Sequence, residues 1–312
     1  MSVESLAALI TLATVPPLHA LTWSVMRRWR SVSSRVRRAA DHADALFLAT
    51  IAPAAVAVCG AVFLTLPAFI LFEPSGRSER PGVLMAVSAS VGAAYVVTAI
   101  ARMLKLVRLS RRYTKAWMSD AQALQAADWG LPAYAIDTDY PVVAVAGVIR
   151  PRLLIDRRLL VSCSDEELRA IAAHERAHVR TYDNARRAVI SACVGSKSAS
   201  AQEWRRASEF AADERAAITP DRAAVLAGAL VKIARLAAIV PPPPVPFATI
   251  HDGGALEMRV QRLLSTNAPP ACRDRRDWLL ASVAILSIAM AARGAHVLAA
   301  VHSVAEFLVR AQ

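Results

Sequence analysis

Residues 164–178 read Ser-Asp-Glu-Glu-Leu-Arg-Ala-Ile-Ala-Ala-His-Glu-Arg-Ala-His. Ser164 followed by Glu167 is a capping box, which opens a helix. Leu168, Ile171 and Ala172 recur at helical spacing and, with Ala173, Ala177 and Val179, predict a helix that packs into a core. Residues four apart on a helix stand one turn above each other, so His174 and His178 can present two imidazole nitrogens to one ion. Neutral imidazoles suit zinc. Glu175 is turned by about 100° from His174, beside the metal position rather than on it, where a carboxylate can take a proton from water as general base. A His-Glu-x-x-His run arises by chance in on the order of one per cent of chains of this length.

A second predicted helix, residues 202–217, carries Glu209 and Asp213 four apart in Ser-Glu-Phe-Ala-Ala-Asp-Glu. One of the two can complete a metal's coordination, and the other can accept the second N–H of a ligating histidine. Three protein ligands leave a fourth position to water, the arrangement of a catalytic rather than a structural zinc site. The expected cofactor is one Zn2+ ion, and the expected chemistry is metal-assisted peptide hydrolysis.

Outward from this motif the chain turns apolar. Over 312 residues, 55% are hydrophobic and the mean hydropathy is +0.37, too high for an ordinary soluble protein. Residues 45–72 carry no charge, and neither do residues 83–101; each run can cross a hydrocarbon core of about 30 Å. The expected spans are residues 6–26, with a kink or local unwinding at Pro16-Pro17, then 45–72 and 83–103. Glu4 precedes the first span and Arg27, Arg28 and Arg30 follow it, the polarity of a retained anchor rather than a cleaved signal peptide. A fourth span is expected from Trp278 through Ala292, with Arg293 snorkelling or facing protein.

The formal charge is +12, and the arginines gather beside the apolar runs. Arg27, Arg28, Arg30, Arg35, Arg37 and Arg38 fill loop 27–43; Arg102, Lys105, Arg108, Arg111 and Arg112 follow the third span; Arg273, Arg275 and Arg276 precede the fourth. The positive-inside rule puts all three clusters on the cytoplasmic side of the membrane. The regions are then 1–104 (three spans), 105–277 (a cytoplasmic zinc metallopeptidase domain) and 278–312 (a fourth span and short tail). No basic-plus-aromatic module accompanies the charge, so direct nucleic-acid binding is not expected. Four scattered cysteines without a Cys-x-x-Cys pair suggest neither a disulfide framework nor a thiolate zinc site.

Within the polar region, residues 141–155 hold β-branched runs split at Gly147 and Pro151 and read as a small hairpin. A third helix is predicted over 222–239, ended by the proline run 241–246, a stiff linker. The expected fold class is a mainly α membrane protein, about four transmembrane helices with a cytoplasmic α+β zincin-like (gluzincin) domain carrying a small β-hairpin or sheet.

The chain resembles the BlaR/MecR-type family of membrane metallopeptidases. The resemblance rests on Pro-Val-Val-Ala-Val-Ala-Gly from Pro141, Ser-x-Glu-Glu-Leu-Arg-Ala from Ser164, and His-Glu-Arg-Ala-His-Val-Arg-Thr-Tyr-Asp-Asn from His174. It extends to Glu-Phe-Ala-Ala-Asp-Glu from Glu209 and Leu-Glu-Met-Arg-Val-Gln-Arg-Leu-Leu from Leu256 to Leu264. It covers about residues 104–264 and the spans in outline. It implies Glu209 as third zinc ligand, Asp213 as partner of a ligating histidine, and Asp183 as a supporting acid, though Asp183 fits a helix-terminal or ion-pairing residue as well. It implies three spans before a cytoplasm-facing peptidase domain and one after, and regulated cleavage of a cytoplasmic protein, often a winged-helix transcriptional repressor. Residues 191–202 depart from the family, being small and polar where the family has an apolar stretch with tryptophan and proline; Trp204 is the nearest tryptophan. No penicillin-binding sensor domain follows the fourth span, so β-lactam sensing is not expected.

The hairpin edge, residues 142–155, could dock an extended substrate by strand addition. Tyr182, His251 and Arg222 are each available to stabilise an oxyanion. An HtpX- or CaaX-protease-type processing peptidase shares the same signature but normally places spans between its two motifs, and the 30 residues between His178 and Glu209 contain several charges and no span. A third reading is a membrane scaffold that keeps the metal site without turnover.

Overall fold

The computed structural model describes residues 3–33, 38–72, 82–125, 127–237 and 256–265, with a few isolated positions between 294 and 303. The expected fourth span, the proline linker, His251, the loop between the second and third spans and the basic cluster from Arg273 lie outside the described residues. The chain divides into two units, Met1–Ser33 with Leu48–Ile100 and Ala271–Gln312, and Ser34–Phe47 with Ala101–Pro270.

Among the described residues, three helices are long and apolar enough to cross a membrane: Glu4–Arg28, Ala39–Phe72 and Val83–Met118. The first lies in α1 (Val3–Ser33). The second is α2 (Ala39–Gly60), a π-helical turn (Ala61–Thr65) and α3 (Leu66–Phe72). Across that turn the Leu66 N–H donates to the Ala61 carbonyl, five residues back. Pro67 follows immediately, and its ring would clash with the carbonyl four residues earlier in a regular helix; the wider turn makes room for it. The third span begins α4 (Val83–Met118), which stays helical through the basic segment instead of ending near 103.

Residues 16 and 17 are helical, where the sequence predicts a kink or unwinding. Two prolines leave the carbonyls of Leu12 and Ala13 without their usual N–H donors. The Ser88 hydroxyl on α4 donates to the Ala13 carbonyl at 2.7 Å, and Gly92, one turn on, lies against the Leu12 carbonyl. A Cβ at position 92 would stand 2.1 Å from that oxygen. Small residues four apart thus let α4 approach α1 closely, and Ser88 satisfies one of the two freed carbonyls, as apolar surroundings favour. Gly92→Ala is therefore expected to force the helices apart and cost about 1–3 kcal/mol, read as a lower unfolding temperature of the detergent-solubilised chain; an unchanged temperature would contradict this packing.

The second unit is built around a four-stranded sheet of order β1-β2-β4-β3, with β1 Gln122–Ala123, β2 Ala133–Ile136, β3 Val143–Ala146 and β4 Arg152–Asp156. β3 and β4 form the expected antiparallel hairpin, Val143 opposite Ile155 and Ala146 opposite Arg152. Gly147 makes its turn at φ +95°, and a Cβ there would meet the Arg150 carbonyl at 2.7 Å. β2 runs parallel to β4. Both faces of the sheet are covered, which is why β3 reads Val-Ala-Val-Ala rather than alternating with polar residues. Val143, Val145, Leu153 and Ile155 pack with Ile171, Leu226 and Leu230. On the other face, Ala144, Leu154 and Ile136 pack with Tyr113 and Trp117 from the end of α4.

After the short α5 (Arg157–Ser162), α6 (Asp165–Arg180) opens on the expected capping box: the Ser164 N–H donates to Glu167 at 2.7 Å and the Glu167 N–H to the Ser164 hydroxyl at 3.3 Å. Then come α7 (Asp183–Val194), α8 (Ala199–Ala216), α9 (Pro220–Ala237) and α10 (Leu256–Ser265). Residues 191–202 form the end of α7, a turn through Gly195, and the start of α8, capped by the Ser198 hydroxyl.

Candidate metal centre

α6 and α8 pack side by side, and each presents a pair of polar residues one turn apart on the buried face. His174, Glu175 and His178 on α6 are at most 4% exposed, as are Glu209 and Asp213 on α8. The two imidazoles meet nearly edge to face, with their Nε2 atoms 3.1 Å apart. Glu209 reaches both: one carboxylate oxygen is 3.4 Å from His174 Nε2 and the other 3.6 Å from His178 Nε2. Three donors each about 2.0–2.1 Å from one tetrahedral ion would stand about 3.3 Å from one another. The His174, His178 and Glu209 ligand atoms, all within 4.8 Å of one another, fit a zinc-sized cation.

The other ring nitrogens are already engaged. His174 Nδ1 lies 3.0 Å from Asp213 and His178 Nδ1 lies 2.7 Å from Asp183. A carboxylate at Nδ1 holds the proton there and leaves Nε2 with a lone pair for a metal. Asp183 is also the first residue of α7, so it is helix-terminal and a histidine partner at once. The Ser208 hydroxyl, adjacent to Glu209, donates to the same Asp183 oxygen at 2.5 Å.

Tyr182 turns the chain from α6 into α7 with φ +54°, the one positive value at a non-glycine among the described residues. The residue is 58% exposed, and the strained backbone lets Asp183 point back at His178. Tyr182 lines a small pocket with His178 and Asn184. Arg222 instead faces a separate groove with Asp128 and Arg176.

Arg259 is the residue whose role sequence reasoning missed. It sits on α10, only 2% exposed, and clasps Asp213 through Nε and Nη2, both at 2.8 Å, while Nη1 lies 3.1 Å from Glu209. One signal was available: Arg259 falls with Leu256, Val260 and Leu263 on the apolar face of a short helix, where an unpaired arginine would not be buried.

The charges set each group's protonation without a metal. Burial pushes the His178 imidazole down, but Glu209 and Asp183 outweigh it and hold it at about 10. For His174 burial is likewise overcome by Asp213 and Glu209. Burial opposes ionisation of Glu209, yet Arg259 and the imidazoles hold its carboxyl well below the ordinary range. Glu175 goes the other way, raised chiefly by burial against the pull of the two histidines, and neither of its oxygens has a hydrogen-bond partner among the described residues.

The folded, metal-free chain therefore binds the His178 proton more tightly than the unfolded chain, whose imidazole titrates near 6.5. That contribution to stability is complete below about pH 6.5 and is lost as pH rises through about 10. The chelator-treated chain is expected to unfold at a lower temperature at pH 10 than at pH 6.5, with a smaller difference in His178→Gln. Metal uptake runs the opposite way, strengthening as the nitrogens lose their protons. A melting temperature equally flat in both proteins would contradict the assigned network.

The family model described as Peptidase family M48 matches residues 111–200. The match takes in the sheet, α6 and Asp183 and stops short of Glu209, Asp213 and Arg259. No curated protein matches the chain. The match supports the metallopeptidase class but not the BlaR/MecR-type assignment within it. Residues 111–200 thus resemble Peptidase family M48, and with the three apolar helices and the buried His174, His178 and Glu209 cluster they support a membrane-associated metallopeptidase.

Proposed function

We propose that the chain is a membrane-embedded zinc endopeptidase that cleaves a cytoplasmic protein in regulated signalling, such as a winged-helix repressor. The observation that carries the catalytic part is the convergence of His174 Nε2, His178 Nε2 and Glu209 on one buried point, with the unpartnered carboxylate of Glu175 beside it. His174, His178 and Glu209 would hold the ion, and zinc when bound supplies Lewis acidity toward water and a peptide carbonyl.

Glu175 takes the proton from the attacking water and passes it to the leaving amine. In the metal-free chain burial makes this carboxylate more basic than an ordinary glutamate, the direction a proton acceptor needs, and a bound cation would pull it back toward the charged form. Asp213 and Asp183 fix the tautomer and tilt of the two imidazoles, and Arg259 offsets the negative charge of Glu209 and Asp213.

β3 ends the sheet, but its residues Val143–Ala146 are at most 2% exposed, so a substrate strand could pair there only after the groups covering that edge move aside. The Asp156 N–H donates to the Val142 carbonyl, so Val143 and Val145 turn their backbone groups away from β4. Asn184, next to Asp183, donates to the Val145 and Gly147 carbonyls at 2.9 and 3.2 Å, which ties this edge to the start of α7. An extended peptide added there would be held beside the metal residues.

The basic segments around the apolar helices favour a cytoplasm-facing site in a bacterial inner membrane. A second reading, an HtpX/CaaX-protease-type processing peptidase, is favoured by the match to Peptidase family M48. The test compares new protein N-termini in cells expressing the wild-type chain and Glu175→Gln. Cleavage of one cytoplasmic regulator, absent in the variant, is the expected result; cleavage of many unrelated membrane proteins would favour the second reading. No difference between the two strains would favour a scaffold without turnover.

A further inference from the structure

Apart from the metal centre, the second unit holds a pocket of about 290 Å3 between α4 and the α7–α8 turn. Leu106, Ile190 and Trp204 give it an apolar floor, and Arg187, Lys197 and Arg205 give it a cationic rim without an acidic side chain among the residues that line it. Trp204 is 1% exposed, and its indole Nε1 donor has no hydrogen-bond partner among the described residues. Arg102 adds a further cation, its guanidinium within 3.7 Å of where a Cβ on Gly195 would stand.

The pocket's place along the chain completes the picture. Leu106 follows the uncharged run 83–101 on the same helix, just beyond Arg102 and Lys105. Basic residues at that point mark the boundary between hydrocarbon and water. A ligand here must therefore be anionic at one end, accept hydrogen bonds, and be apolar at the other.

We propose that this pocket binds an anionic phospholipid. Its phosphate sits among Arg187, Lys197 and Arg205, and the start of its acyl chains lies along Leu106 and Ile190. The first turn of α8, which contributes Ala201 to the lining, adds the positive end of an 18-residue helix. The lipid thereby joins α4 to α7, the helix that begins with Asp183.

The test uses the full chain, purified in mild detergent and stripped of lipid, with bound lipid counted by native mass spectrometry. Offered equal amounts, the chain is expected to retain phosphatidylglycerol over phosphatidylcholine by on the order of a hundredfold, about fivefold per cation. Inorganic phosphate alone should not displace it. Arg187→Gln/Lys197→Gln/Arg205→Gln should erase the preference; Arg187→Lys/Arg205→Lys should keep it. Arg108→Gln/Arg111→Gln/Arg112→Gln, on exposed α4 residues outside the pocket, should keep it too. Equal retention of both lipids by the wild-type chain would overturn the proposal, whether or not the variants fold. Equal loss in the α4 control would show general attraction to a charged surface, and displacement by inorganic phosphate would show a site for a free anion; either would overturn it as well.

Discussion

Glu175→Gln is expected to lower peptide hydrolysis by about a thousandfold and to leave the metal in place. Glutamine keeps the shape of the side chain and removes only its ability to accept a proton. Glu175 is 1% exposed and no donor relies on it, so the exchange strands no partner. The carboxylate's charge is disfavoured first by burial, so a neutral amide should leave the unfolding temperature unchanged or raise it slightly. Turnover, zinc content and unfolding temperature measured on the same preparation separate these effects. Loss of zinc together with activity would mean that Glu175 is a ligand; full activity would remove it from the mechanism.

Arg259→Met is expected to give the largest loss of stability, about 3–5 kcal/mol. The arginine is buried between Glu209 and Asp213, and the two carboxylates hold its pKa well above the ordinary guanidinium value although burial opposes them. Methionine fills similar space but leaves two buried carboxylates facing each other with only the imidazoles to offset them. A bound divalent cation supplies positive charge at the same place, so zinc should recover part of the loss. Thermal unfolding with and without zinc reads this directly. A variant as stable as wild type in the absence of metal would show that Glu209 and Asp213 do not depend on the arginine.

The parts of this fold that were legible in the sequence have a local signature. Uncharged runs mark α1, the α2–α3 segment and the start of α4; Ser164 and Glu167 mark the start of α6; and the four-residue spacings place His174 with His178 and Glu209 with Asp213 on shared faces. What was not legible depends on contacts between distant residues. Arg259 clasps Asp213 across 46 positions, and no spacing within α10 names its partner. α7 begins at an αL tyrosine rather than at an ordinary cap, so residues 183–194 lack the usual start signal. β2 is four residues long and takes its place from its parallel register with β4. The helical path through Pro16 and Pro17 depends on Ser88 and Gly92 from another helix, which the prolines themselves do not announce.

Whether His174, His178 and Glu209 hold one metal ion is tested most directly by elemental analysis of the purified full chain. One zinc ion per chain is predicted for the wild type and for Glu175→Gln, falling to near zero in His178→Ala. Zinc undiminished in His178→Ala, or absent from a wild-type chain supplied with it, would show that these three residues do not form a metal site.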